Sequence, residues 1–101
     1  MERLAEFFKV LSEPNRLTVL ESLKESTLNV TAIVENTGLS QALVSKHLKL
    51  LSTAGFVERM PDGGLVFYKI ADKKIFKLIT QAEKLIVTIN QQRVDSLTSH
   101  T

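Results

Sequence analysis

The chain has 101 residues, with 13 Lys and Arg against 11 Asp and Glu and no cysteine. A single domain of this size buries roughly 60–70% of the surface its unfolded chain exposes, and a hydrophobic content of 44% places it among globular rather than disordered chains. The missing cysteines exclude disulfides, thiolate metal sites and thiol redox sensing, while a net charge of +2 is too small to argue for a nucleic-acid partner unless the charges are clustered.

The N-terminus, Met1-Glu2-Arg3-Leu4-Ala5-Glu6, alternates charge and lacks the apolar run of a signal peptide. No stretch approaches the ~20 apolar residues of a membrane span. A soluble, cytoplasmic protein without a membrane partner is expected.

Leu4, Phe7, Phe8 and Leu11 follow helical spacing and predict a first helix over 2–11. Ser12-Glu13-Pro14 breaks it, with Ser12 expected to cap a second helix and Pro14 in its first turn. Leu17, Leu20 and Leu23 form that helix's stripe, with Val19 beside it. Residues 28–30 suggest a brief strand or extended link. Thr31 is expected to cap a third helix with Val34 as its core residue, ending at Gly38, a residue that accepts positive φ. Leu39 follows, and Ser40 caps a fourth helix over about 41–54. Helix, glycine, one apolar residue and a capped helix describe a helix-turn-helix over 31–54.

Steps of about 100° around the fourth helix separate two sides. Gln41, Ala42, Ser45, Lys46, Lys49, Ser52 and Thr53 fall on one; Leu43, Val44, His47, Leu48, Leu50, Leu51 and Ala54 fall on the other. After Gly55 the period becomes that of strands: residues 56–60 and 65–70 flank Pro61-Asp62-Gly63-Gly64, predicting a β-hairpin. A last helix starts near Asp72 and runs to about 90–92, leaving a flexible tail over 95–101. The expected fold is mainly α (α+β): a winged helix-turn-helix of about five helices with a two-stranded β-hairpin wing over 56–70, forming one domain over 1–94.

A helix enters the DNA major groove only if its outer face carries small or hydrogen-bonding side chains. Ser40, Gln41, Ala42, Ser45, Lys46 and Lys49 meet that requirement. A merely solvated face would look similar; the preceding turn and following hairpin favour double-stranded DNA. In the wing, Arg59 and Lys69 supply positive charge and Gly63-Gly64 allows close approach to phosphate, although Asp62 opposes it. Val66, Tyr68 and Ile70 are expected to pack.

His47 lies on the apolar side and is expected to be a packed histidine with one ring nitrogen satisfied. With His100 as the only other histidine, no metal site is expected. No nucleophile–base or paired-carboxylate arrangement and no phosphate-cradling glycine loop is present, so neither an enzyme nor a cofactor is expected.

The terminal helices, over 1–11 and 72–92, carry more apolar surface than one small core needs. Leu4, Phe7, Phe8 and Leu11 with Ile75, Leu78, Ile79, Ala82, Leu85, Ile86 and Ile89 are expected to form a homodimer interface. A two-fold dimer places two reading helices one DNA turn apart, ~34 Å, on a pseudo-palindromic operator. An alternative is a winged-helix module that holds another regulator, favoured by the modest net charge and Asp62. A third possibility is a small-molecule sensor with an apolar pocket at the dimer interface.

The sequence resembles the ArsR/SmtB family of bacterial transcriptional regulators along nearly its whole length. The resemblance rests on Leu11-Ser12-Glu13-Pro14-Asn15-Arg16-Leu17, on Gly38-Leu39-Ser40-Gln41, on Val44-Ser45-Lys46-His47-Leu48-Lys49-Leu50-Leu51, on Ala54-Gly55-Phe56-Val57 and on Val66-Phe67-Tyr68-Lys69-Ile70. It implies a dimer built from the first and last helices, usually a repressor, with readout by Gln41, Ala42, Ser45 and Lys46 and phosphate contacts from Lys49 and the wing. The family's sensing sites are not matched. Asn29 and Thr31 stand where metal sensors carry cysteines, and Lys74, Leu85 and Thr88 accompany Asp72 where others bind zinc. Persulfide sensing needs two cysteines, and the chain has none.

Overall fold

The computed structural model describes residues 1–99. Helix α1 (Glu2–Leu11) meets α2 (Pro14–Ser22) through a turn whose caps differ from the sequence expectation. Ser12 has helical dihedrals, and its hydroxyl donates back to Lys9 O at 2.7 Å, so it closes α1 rather than opening α2. Glu13 has the extended backbone that an N-cap requires, and its Oε2 accepts from Arg16 N at 3.0 Å. Pro14 then stands in the first turn, where a missing N–H costs nothing.

A two-residue strand, β1 (Leu28–Asn29), leads directly into α3 (Val30–Thr37). Asn29, not Thr31, caps this helix: it is extended, and its Oδ1 accepts from Ala32 N at 2.9 Å. The earlier start makes Ile33 the fully buried residue of α3, while Val34 is only half-buried. Gly38 ends the helix at φ 74°, a conformation that costs other residues a clash at Cβ. Leu39 packs against the core, and Ser40 Oγ accepts from Leu43 N at 3.2 Å to start α4 (Gln41–Thr53).

Past α4, Phe56 N donates to Leu51 O and Gly55 N to Ser52 O, a paired termination that turns the chain into the wing. Strands β2 (Val57–Asp62) and β3 (Leu65–Ile70) pair antiparallel, with Asp62 opposite Leu65. The loop is therefore Gly63-Gly64 alone, at φ 57° and 84°, the double positive φ that a tight two-residue hairpin turn demands. Pro61 and Asp62, expected in the turn, belong to β2; proline is tolerated there because β2 is an edge strand. The sheet has three strands in the order β1-β3-β2 rather than two, since Leu28 pairs with Tyr68 and Asn29 with Phe67 on the other edge of β3.

Helix α5 (Lys74–Ser99) opens with Asp72 Oδ1 accepting from Lys74 N at 2.9 Å. It runs well past the expected end, so 95–99 is helical rather than a separate tail; 100–101 lie outside the described residues. No Gly or Pro interrupts it, and Gln91 Nε2 donates to Asp95 Oδ1 one turn on, at 3.2 Å.

Val19, Leu20, Ile33, Val44, Leu48 and Leu51 are fully buried where α2, α3 and α4 meet. Each such side chain contributes about 1.5–3 kcal/mol of burial. Leu11, Leu23, Val57, Ile70, Ile75 and Phe76 complete this core, so α1, the wing and the first turn of α5 join α2, α3 and α4 in one cluster.

Candidate nucleic-acid interface

Helix α4 is held from behind by Val44, His47, Leu48 and Leu51, all buried. That leaves Gln41, Ala42, Ser45, Lys46 and Lys49 exposed along its outer side, with Ser40 exposed at its start. The structure thus brings all six reading-helix candidates to one surface. The buried side is narrower than the wheel suggested. Leu43, about 160° around the helix from Gln41, is only marginally exposed at 37%, Leu50 is half-buried and Ala54 is exposed. Hydrophobicity alone assigned all three inward.

Lys46 and Lys49 make no ion pair among the described residues, and neither does Arg59 on β2. Their charges are available without breaking an internal bond. Lys69 differs: its Nζ lies 3.5 Å from Glu58 Oε2, directly across the β2–β3 ladder. Arg59, Gly63 and Gly64 are all exposed on the wing, a separate element from α4, and Asp62 is exposed beside the glycines.

His47 is buried as expected, but neither ring nitrogen has a hydrogen-bond partner among the described residues. Its Nε2 faces Glu13 Oε2 at 3.4 Å. Sequence reasoning missed this neighbour because it made Ser12 the cap of α2; an extended Glu immediately before Pro14 was the available signal. At the start of α5, the Lys74 N–H donated to Asp72 holds the Asp72 carboxyl below its ordinary value, and the Lys74 ammonium adds to that effect. Among the described residues no cluster of three or more His, Cys, Asp or Glu could hold a metal ion, and no helix is long and apolar enough to cross a membrane.

The apolar terminal helices divide into two groups. Leu11 and Ile75, expected to face a partner, are buried in this chain's own core, where they join the cluster built on α2, α3 and α4. Phe7 and Ile79 are half-buried against the same core, Phe7 with its ring 5.0 Å from that of Phe56. Leu4, Phe8, Leu78, Ala82, Leu85, Ile86 and Ile89 remain exposed. Every described side chain from Gln81 to Leu97 is exposed, and the molecule extends over 64 Å along its long axis. An apolar groove of about 400 Å³ between α1 and α5, lined in part by Phe7, Phe56, Ile75 and Leu78, adjoins this surface.

The family described as bacterial regulatory protein, arsR family, matches residues 13–59, the stretch from the α2 cap to the first half of the wing. The HTH-type transcriptional regulator Rv0081 of Mycobacterium tuberculosis is 35% identical over 91 residues, covering 89% of this chain and 80% of that protein. Its crystal structure superimposes with a TM-score of 0.77 over 89% of this chain and 91% of that one. The HTH-type transcriptional repressor SmtB of the same species is 32% identical over 81% of this chain and 61% of its own length. Mb0332 of Mycobacterium bovis was solved as a homodimeric winged helix-turn-helix DNA-binding domain. It shares 25% identity and a TM-score of 0.74 over 90% of this chain and 84% of that one.

Proposed function

This chain belongs to the ArsR family of winged helix-turn-helix transcriptional regulators, and we propose that within it the protein acts as a cytoplasmic, homodimeric, sequence-specific repressor without a metal or thiol switch. The observation that carries the reading is the outer side of α4, small, polar and basic on a helix rigidly packed behind. In this reading Gln41 pairs with an adenine edge, Ala42 and Ser45 let the helix approach the bases, and Lys46 reaches guanine. Ser40, Lys49, Arg59 and the backbone at Gly63 and Gly64 hold phosphates and fix the register on the duplex.

The dimer rests on a physical argument. A helix projecting alone into water is marginal in stability, yet α5 exposes Leu85, Ile86 and Ile89 beyond the body of the domain. With Leu4, Phe8, Leu78 and Ala82 they form an apolar face that a second copy covers, with Phe7 and Ile79 at its edge. The homodimeric state of Mb0332 and the name of SmtB favour the dimer and the repressor role respectively. Ligand chemistry supports the reading without a switch: cysteine is absent, and Lys74, Leu85 and Thr88 accompany Asp72 where the resemblance implies zinc ligands. A mobility-shift titration with the DNA upstream of the protein's own gene tests this function. A discrete complex that resists excess shuffled duplex is expected; equal competition by shuffled duplex overturns it.

A further inference from the structure

Glu13 and His47 join two elements far apart in sequence, the capped start of α2 and the middle of the reading helix. The His47 side chain is 5% exposed, with Nε2 3.4 Å from Glu13 Oε2, longer than a hydrogen bond to a carboxylate should be. Nδ1 and Nε2 of His47 and Nε of Arg16 all lack partners among the described residues. Buried polar atoms are nearly always hydrogen-bonded, so an unpaired Nε2 beside a fixed carboxylate oxygen calls for an explanation. The same Glu13 oxygen already accepts from Arg16 N and is held in place by the cap.

We propose that His47 is a positioning residue for DNA reading, fixing α4 against α2 through a proton-dependent bond to Glu13. A neutral ring donates from Nε2 in only one of its two tautomers, whereas the ring carrying both protons always presents Nε2–H to Glu13 Oε2 and joins it as a cation, which strengthens the bond. The reading helix is then pinned at its centre, one residue from Lys46, and the Glu13 charge behind it is neutralised. Among the described residues no other charged group forms an ion pair with the imidazole. Arg16 turns its Nη1 to Val10 O at 2.8 Å, and Glu6 and Lys9 line the open cleft outside Glu13. Glu35 of α3 and Arg59 of β2 are exposed, as are Lys46 and Lys49 on α4 itself, and Glu58 of β2 is paired with Lys69.

The inference rests on the DNA-reading function proposed above, and its test has two readouts. Replacing His100, the only other histidine, by Gln leaves His47 as the single imidazole. Its NMR titration in the free H100Q chain should move when Glu13→Gln is added, a change that keeps an oxygen for the α2 cap. Affinity of H100Q for its operator should then rise about threefold or more as the pH is lowered from about 7 to about 5.5. The rise should vanish in H100Q with either His47→Gln or Glu13→Gln. An imidazole titration indifferent to Glu13→Gln, or a pH profile unchanged by it, overturns the positioning role even if His47→Gln fails to fold. A shifted titration without sequence-preferring binding at any pH would instead overturn the DNA reading, and the positioning role with it.

Discussion

Lys46 and His47 are adjacent on α4 and lie about 100° apart around it: Lys46 is exposed and makes no ion pair among the described residues, whereas His47 is buried against the α2 cap. A single helical step therefore separates the surface proposed to read DNA from the surface that holds the helix in place. Two substitutions one residue apart should fail for different reasons, and that separation organises the predictions below.

Packing behind α4 should dominate stability. Leu48 is fully buried beside Val44 and Leu51, so Leu48→Ala should lose about 2–5 kcal/mol through lost burial and the cavity left behind. Ser40→Ala removes the acceptor for Leu43 N and should lose about 1 kcal/mol. Urea unfolding followed by circular dichroism measures both; a Leu48→Ala midpoint equal to wild type would contradict the core described here.

The self-association surface should be separable from the fold. Leu85 and Ile86 are 59% and 56% exposed in the single chain, so a charge at either position strains no internal packing. Leu85→Glu places a charge in the apolar face of the proposed dimer and should yield a folded monomer. Sedimentation velocity at micromolar concentration, with circular dichroism as control, reads the result. A dimer of wild-type strength in Leu85→Glu would remove this face from the interface.

Much of this architecture could be read from residues in order. Gly38-Leu39-Ser40 marked the helix-turn-helix, and Pro61-Asp62-Gly63-Gly64 marked the wing with a turn two residues too long. The α4 periodicity separated Val44, His47, Leu48 and Leu51 from the polar side, but placed Leu43, Leu50 and Ala54 with them. Caps were harder because Ser12 and Glu13, or Asn29 and Thr31, all carry an oxygen that can accept the capping N–H; the backbone dihedrals decide between them. Pairing of Leu28 with Tyr68 was not visible because two residues carry no period. Burial of Leu11 and Ile75 in the chain's own core was hidden for another reason. An apolar stripe does not record whether its partner is the same chain or a second copy.

The start of α5 should be acid-sensitive. The Lys74 N–H holds the Asp72 carboxyl below its ordinary value. A depressed carboxylate contributes stability that is present above its unfolded pKa and lost as pH falls through the folded one. Amide exchange at the first turn of α5 should therefore accelerate only in strongly acidic buffer, below the ordinary carboxylate range. Asp72→Asn should remove that acid step; the same step persisting in the variant would assign it to another group.

Metal should be silent. With no cysteine, and Lys74, Leu85 and Thr88 accompanying Asp72, zinc or cadmium at micromolar excess should change neither the melting temperature nor the operator affinity. A metal-dependent fall in affinity of about tenfold, equal to roughly 1.4 kcal/mol, would show that a sensing site has been assembled from other residues.

The most direct measurement is fluorescence anisotropy with labelled operator and shuffled duplexes across a range of salt, for wild type, Gln41→Ala, Lys46→Ala and Lys49→Ala. The account predicts a wild-type preference for the operator and a linear fall of log affinity with log salt. Gln41→Ala and Lys46→Ala should each lose about 1–3 kcal/mol on the operator and little on shuffled DNA, whereas Lys49→Ala should weaken both and reduce the salt slope by about one. Equal wild-type affinity for the two duplexes, or operator binding untouched by Gln41→Ala and Lys46→Ala, would contradict the assignment of α4 as the reading helix.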